Sequence, residues 1–163
     1  MKRKLMIYFT DFQEKEKITY SLKMAIRKAI EATLDRENFI PGAVISVFFE
    51  NNEGVESLID CCDRVDTERG FLCFPLAEFD EGETLPTDKP EVMMGDIFMS
   101  LEGMIENAKK YGHPIEHEAA IVCSHATLHL LGHNHTNQEY RSTEMGTHQI
   151  EILSGIGIDA SSL

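Results

Sequence analysis

Three histidines near the carboxyl end of the chain have a spacing suited to binding a metal ion. They lie in the segment HATLHLLGHNH, residues 125–135. Residues four apart on a helix share one face, so His125 and His129 can contact one ion, and Gly132 lets the chain turn so that His135 reaches it. Three imidazoles with one open position are typical of a catalytic zinc site. We therefore expect one Zn²⁺ per chain, held by His125, His129 and His135.

A different interpretation is that these histidines only pack in the protein or face solvent. The helix that carries the first two is apolar nearly all round between residues 119 and 131, which predicts a helix buried in the core. Burying imidazole rings costs free energy unless their nitrogens are satisfied, and one metal ion satisfies three rings together. Metal binding is therefore the favoured interpretation. We interpret His133 as an exposed loop histidine, with a spare metal ligand or a proton shuttle as alternatives, and His148 as an ordinary helix residue.

The same spacing matches the metzincin pattern H-E-x-x-H-x-x-G-x-x-H, with one difference. Ala126 stands where that pattern has the glutamate that activates water for peptide cleavage. Without this general base the proton of the attacking water lacks an acceptor. A zinc-dependent peptidase is therefore the second candidate, and it would need another carboxylate, such as Glu144.

The remaining pattern predicts one α+β domain over residues 1–163, with a small mixed sheet of about four strands packed with helices. Strands are expected at 5–9, 43–49, 70–76 and near 92–99, where β-branched and aromatic residues cluster. Asp11 and Glu14 resemble a capping box that would begin the first helix. Further helices are expected at 54–63, at 101–111, from Pro114 to Gly132, and from a cap at Thr136 to about Ser154.

Composition limits the possible partners. The 163-residue chain has a net charge of −13 and four cysteines without a Cys-x-x-Cys pair. No stretch has the length or character of a membrane span or a signal peptide, so we expect a cytoplasmic protein. So acidic a chain should not bind nucleic acid tightly and without specificity. An RNA substrate would need a local basic strip, for which Lys23 and Arg27 are candidates, or a partner that presents it.

The histidine segment resembles the signature H-G-x-L-H-L-x-G-Y/H-D-H of the YbeY endoribonucleases, which are bacterial rRNA maturation factors. It matches at both ends, at the central L-H-L and at the G-H pair, and residues 95–100, GDIFMS, resemble the family's G-D-I-x-I-S strand. Ala126 replaces a glycine of the signature. Asn134 replaces its aspartate, which removes a carboxylate near the metal.

The resemblance implies a zinc-dependent, single-strand-specific endoribonuclease that acts in ribosomal RNA 3′-end maturation and ribosome quality control. Its partners would be ribosomal RNA and the small ribosomal subunit, with no membrane and no DNA. The family's catalytic arginine falls near Arg64, one position off in an ungapped alignment, and Arg69 is its rival. Such an arginine would stabilise the charge of the phosphorane. A metal-binding ribosome-associated factor with little catalysis is a third possibility.

Overall fold

The computed structural model describes residues 3–61, 64–66, 69–79, 89–135 and 139–163. Its five strands form one mixed sheet in the order β1-β2-β5-β4-β3. The first three strands of that order are parallel, and β4 and β3 each run antiparallel to the preceding strand. The strands are β1 (Leu5–Asp11), β2 (Gly42–Glu50), β3 (Arg64–Asp66), β4 (Phe71–Pro75) and β5 (Glu91–Ser100). The predicted α+β class is confirmed, with four longer strands and the three-residue β3 at the edge.

Five α-helices accompany the sheet in the described residues. They are α1 (Tyr20–Arg36), α2 (Asn52–Ser57), α3 (Leu101–Tyr111), α4 (Ile115–Leu130) and α5 (Glu144–Gly155), with short 3₁₀ turns at Ile59–Cys61 and Tyr140–Ser142. Helix α3 has the predicted bounds. It starts at the Ser100 cap and ends at Gly112, whose left-handed conformation is one that glycine adopts without a Cβ penalty.

The predicted starts of two helices are wrong. Asp11 ends strand β1, where its backbone pairs with β2, and Thr19 caps α1 by accepting a hydrogen bond from the Leu22 amide at 3.1 Å. Helix α5 begins at Glu144 behind a Thr143 cap. Thr136, the cap expected from sequence, lies outside the described residues. Both helices therefore start later than their first Asp or Thr signal, since Asp11 belongs to β1 and a 3₁₀ turn at Tyr140–Ser142 precedes α5.

Helix α4 runs through the core and carries the histidine segment. Every residue from Glu118 to Leu130 is buried, as its apolar composition predicts. It contacts α1, α3 and α5 as well as strands β4 and β5. Neighbours on all sides explain why the helix lacks a polar face. None of the helices in the described ranges combines the length and apolar character needed to cross a bilayer.

Candidate metal centre

The structure brings His125, His129 and His135 together at the end of α4. The Nε2 atom of His125 lies 3.0 Å from Nε2 of His129 and 3.2 Å from Nε2 of His135. One ligand atom from each ring lies within 4.8 Å of the other two. His125 and His129 are buried, whereas His135 is exposed. The group therefore sits where the core meets the surface, and a substrate can approach it from the His135 side.

Gly132 makes this convergence possible. Its φ of +95° lies in the left-handed region, and an added Cβ would be 2.1 Å from the backbone oxygen of Phe79. Only glycine fits both the conformation and the close approach. The chain consequently reverses directly after α4, and His135 returns beside the two histidines of the helix.

The donor set fits a transition metal ion. Two imidazole nitrogens bound to one tetrahedral zinc are about 3.3 Å apart, given Zn–N distances near 2.0–2.1 Å. The observed separations of 3.0 and 3.2 Å need only a small outward movement of the rings to match. Three imidazoles also leave the fourth position for water or substrate.

Electrostatics keep the central ring in the form that binds metal. Burial lowers the pKa of His125 well below its ordinary value, and the charges of His129, His135 and Arg69 act in the same direction. A hydrogen bond with the Gln149 side chain opposes these effects but does not outweigh them. His125 is therefore neutral at physiological pH, with a lone pair available on its ring.

Hydrogen bonds and stacking orient the rings. Nδ1 of His129 donates to the backbone oxygen of His133 at 2.8 Å, which leaves Nε2 as the acceptor that can bind a cation. Tyr140 stacks on His125, with ring centroids 5.0 Å apart and planes 20° apart, and meets the His135 ring edge-on at 5.0 Å. The Tyr140 hydroxyl donates to Oε1 of Gln149 at 2.5 Å. The three rings are thus held by contacts outside the histidine set.

Gln149 and Tyr140 were not predicted as parts of the site. Gln149 is fully buried and donates from Nε2 to the backbone oxygen of Ile121 at 2.9 Å and to Oγ of Ser124 at 3.1 Å. The available sequence signal was a glutamine at helical spacing from the apolar residues Met145, Ile152 and Leu153. Tyr140 lies in a 3₁₀ turn, which no periodic pattern in the sequence predicts.

The two candidate arginines differ in position. Arg64 lies in edge strand β3 and pairs with Cys73 of β4, while its side chain is outside the described part of the structure. The same strand β4 carries Phe71, whose ring lies 5.3 Å from that of His125. β3 is therefore next to the strand that contacts the histidine group.

Arg69 is used inside the protein. Its Nη1 donates to both carboxylate oxygens of Glu118, at 2.9 and 2.7 Å, and its Nη2 donates to the backbone oxygen and hydroxyl of Ser162 at 2.8 and 3.0 Å. The guanidinium also stacks over the Tyr111 ring at 4.5 Å. Arg69 is 8% exposed and Glu118 is fully buried. In this geometry Arg69 forms a buried ion pair with Glu118.

The peptidase alternative needs a general base near the three histidines. Ala126 is fully buried. Glu144 has a side chain 68% exposed and lies 4.0 Å from Nε2 of His148. Among the residues that the structure describes, the potential metal ligands grouped around His125 are histidines only. No carboxylate of the described residues therefore belongs to this group of potential ligands.

A mixed sheet with a buried helix and three converging histidines defines a single-domain protein with a metal-binding histidine centre. Comparison with known proteins supplies the family. The family model described as "Endoribonuclease YbeY" matches residues 8–157. The chain belongs to the YbeY endoribonuclease family, whose members are metal-dependent nucleases that hydrolyse phosphodiester bonds.

Individual relatives align with this chain over most of their length. The endoribonuclease YbeY of a Thermoanaerobacter species is 35% identical over 143 residues, covering 85% of this chain and 89% of that protein. The endoribonuclease YbeY of Carboxydothermus hydrogenoformans is 32% identical over 154 residues, covering 94% and 99%. The solution structure of a Thermotoga maritima protein has a TM-score of 0.50 at 20% identity and covers 93% of this chain and 91% of that one. This last likeness concerns the fold alone.

Proposed function

We propose that the protein is a zinc-dependent, single-strand-specific endoribonuclease that acts in ribosomal RNA 3′-end maturation and ribosome quality control. The observation that carries the proposal is the convergence of the Nε2 atoms of His125, His129 and His135 beside the surface. Membership of the YbeY family supports phosphodiester cleavage over other metal-dependent hydrolysis. Zinc is favoured because an all-imidazole donor set with one open position suits this ion.

The three histidines would hold the ion, which when bound polarises a phosphoryl oxygen and lowers the pKa of a bound water to about 7. The protein's own contribution is orientation. The His133 carbonyl fixes the tautomer of His129, and Tyr140 restrains the other two rings. Such preorganisation limits the rearrangement needed when charge develops on the phosphate.

Arg64 is proposed as the group that stabilises this charge. It lies in β3, next to the strand whose Phe71 contacts His125, and the rival Arg69 is engaged with Glu118 and Ser162. A guanidinium can contact two phosphate oxygens together, which an ammonium does less well. We expect Arg64→Ala to lower the cleavage rate by about 10²-fold or more, with Arg64→Lys intermediate and zinc content unchanged.

The negative charge of the chain favours a mechanism in which the small ribosomal subunit presents the RNA. The chain carries a net charge of −13. The basic pair on α1 is partly engaged within the protein, because Arg27 donates to the backbone oxygen of Leu5 at 3.0 Å and Lys23 lies 5.5 Å from the centre of the Phe9 ring. A free-standing electrostatic attraction for RNA is therefore weak, and a ribosomal partner would supply the missing affinity.

The test combines zinc content with cleavage of a ribosomal RNA 3′-end fragment, offered both as a single strand and as a duplex. Wild type should retain zinc at the three-histidine centre and cut the single strand, whereas His129→Ala should lose the zinc of this centre and the cleavage. His117→Ala is the matched control, because His117 is not among the grouped potential metal ligands of the described residues. Equal cutting of both RNA forms would contradict the strand specificity. Ribosomal-subunit binding that survives in His129→Ala, without cleavage by the wild type, would point to a factor with little catalysis.

A further inference from the structure

A second group of metal-ligating side chains lies next to the three-histidine centre. It consists of Glu37, which follows α1, His133 in the loop after α4, and His148 in α5. One ligand atom from each lies within 4.8 Å of the other two. The Glu37 carboxylate contacts Nε2 of His133, and its Oε2 lies 3.0 Å from Nδ1 of His148. Three separate elements therefore bring two imidazoles and one carboxylate to one point.

We propose that Glu37, His133 and His148 form a second site for a divalent transition metal ion. This inference goes beyond the proposed nuclease activity, which uses the other three histidines. Two imidazoles and one carboxylate are a donor set found in zinc enzymes. Imidazole donors favour zinc, cobalt or nickel over magnesium and calcium, which prefer oxygen ligands.

Burial supports a built site rather than a chance surface group. The side chains of Glu37, His133 and His148 are 7%, 16% and 19% exposed. The rings of the two histidines are 5.2 Å apart and inclined at 67°, so both can point toward one centre. In this structure Glu37 hydrogen-bonds to both rings, and a metal ion bound at the same point would replace these contacts for all three side chains.

The surroundings are compatible with a cation. Glu144 Oε1 lies 4.0 Å from Nε2 of His148, which is the ring nitrogen that does not contact Glu37. At this distance the carboxylate accepts no hydrogen bond from the ring, but it adds negative charge beside the site. One cation is already near, since Nη1 of Arg36 lies 3.5 Å from Glu37 Oε2. Glu151 shares that guanidinium, at 2.6 Å from Nη2, and so offsets part of its charge.

His133 connects the two centres, through its ring on one side and its backbone carbonyl on the other. The His133 ring belongs to the second group, while the His133 carbonyl accepts the hydrogen bond from Nδ1 of His129 at 2.8 Å. A metal ion on the His133 ring would therefore fix the carbonyl that orients a ligand of the first centre. A metal ion in the second site would in this way restrict the orientation of the His129 ring without contacting the first centre.

The experiment is a metal titration of chelator-treated protein with Co²⁺ and with Zn²⁺. Binding is followed by the visible absorption of cobalt and by metal content after equilibrium dialysis. Wild type should saturate at two ions per chain. His148→Ala, Glu37→Gln and His129→Ala should each saturate at one, the double variant His129→Ala with His148→Ala at none, and the control His117→Ala at two. Circular dichroism confirms folding, and Glu37→Gln keeps the shape and a hydrogen-bond acceptor should His148→Ala misfold.

The outcomes separate this inference from the proposed function. Saturation at one ion in wild type and in His148→Ala, with none in His129→Ala, would overturn the second site and leave the nuclease proposal standing. Two ions in both His148→Ala and Glu37→Gln would overturn it as well, because the second ion would then lie elsewhere. One ion remaining in His129→Ala and lost on adding His148→Ala would establish the site independently of any RNA cleavage.

Discussion

Replacing Arg69 should destabilise the protein without removing its metal. Arg69→Met would leave the Glu118 carboxylate, which is fully buried, without its two hydrogen bonds from Nη1. Breaking a buried pair by removing one partner costs roughly 3–5 kcal/mol. His113 Nε2 lies 2.9 Å from Glu118 Oε2 and still pairs with the carboxylate in the variant. We therefore expect the free energy of unfolding to fall by about 3 kcal/mol, the lower limit of this range. For a domain of this size that corresponds to a drop in Tm of about 6–12 °C.

The assay is urea unfolding of wild type, Arg69→Met, Glu118→Leu and the double variant. Because the double variant leaves no unpaired buried charge, its loss should be well below the sum of the single losses. Lys15→Ala is the control, since the Lys15 side chain is 69% exposed in its pair with Glu102, and no measurable change is expected. The reasoning is refuted if Arg69→Met costs less than about 1 kcal/mol and abolishes RNA cleavage with zinc retained, because Arg69 would then serve the substrate.

Three further predictions concern the centre and the core. Gly132→Ala should lower the free energy of unfolding by about 1–3 kcal/mol or more and weaken zinc binding, because the φ of Gly132 is +95° and an added Cβ would lie 2.1 Å from the backbone oxygen of Phe79. Urea unfolding and zinc titration measure both effects. Gly155→Ala is the control and should leave both unchanged, because a Cβ there meets nothing within 4 Å. Since the pKa of His125 is well below that of the unfolded chain, the unfolded state binds more protons below pH about 6.5, and the metal-free protein should lose up to about 1.4 kcal/mol per pH unit on acidification. Urea unfolding with a chelator at pH 7.5 and 5.5 tests this, and an unchanged slope in His125→Leu would contradict the assignment. Burial raises the pKa of Cys123, so iodoacetamide should label exposed Cys61 and spare Cys123 in native protein, which peptide mass mapping would show; equal labelling would contradict it.

Local patterns accounted for much of the fold. The bounds of α3, the position of β4 and the burial of α4 follow from apolar periodicity and from end signals within a few residues. The convergence of His125, His129 and His135 was also predictable, because all three lie within eleven residues and one glycine turn. The expected identity of the ion and the role of Arg64 stay predictions.

Contacts between distant residues could not be predicted in this way. His133 and His148 were interpreted as an exposed loop histidine and an ordinary helix residue, yet both are half-buried and contact Glu37, which is 96 and 111 residues away in the chain. Arg69 likewise pairs with Glu118, 49 residues further on. Single-sequence patterns describe neighbours along the chain, so a pairing that depends on how helices pack leaves no periodic trace.

The direction of α4 has an electrostatic consequence for substrate binding. The helix ends at Leu130, so its carboxyl-terminal turn, which contains His129, lies at the histidine centre. The aligned peptide dipoles place about half a negative charge at that end, which attracts cations and repels anions. Without a bound cation, this end of the helix and the net charge of −13 both oppose a phosphodiester. A metal ion held by the three histidines would offset this negative potential, so we expect the centre to attract RNA more strongly when it is loaded.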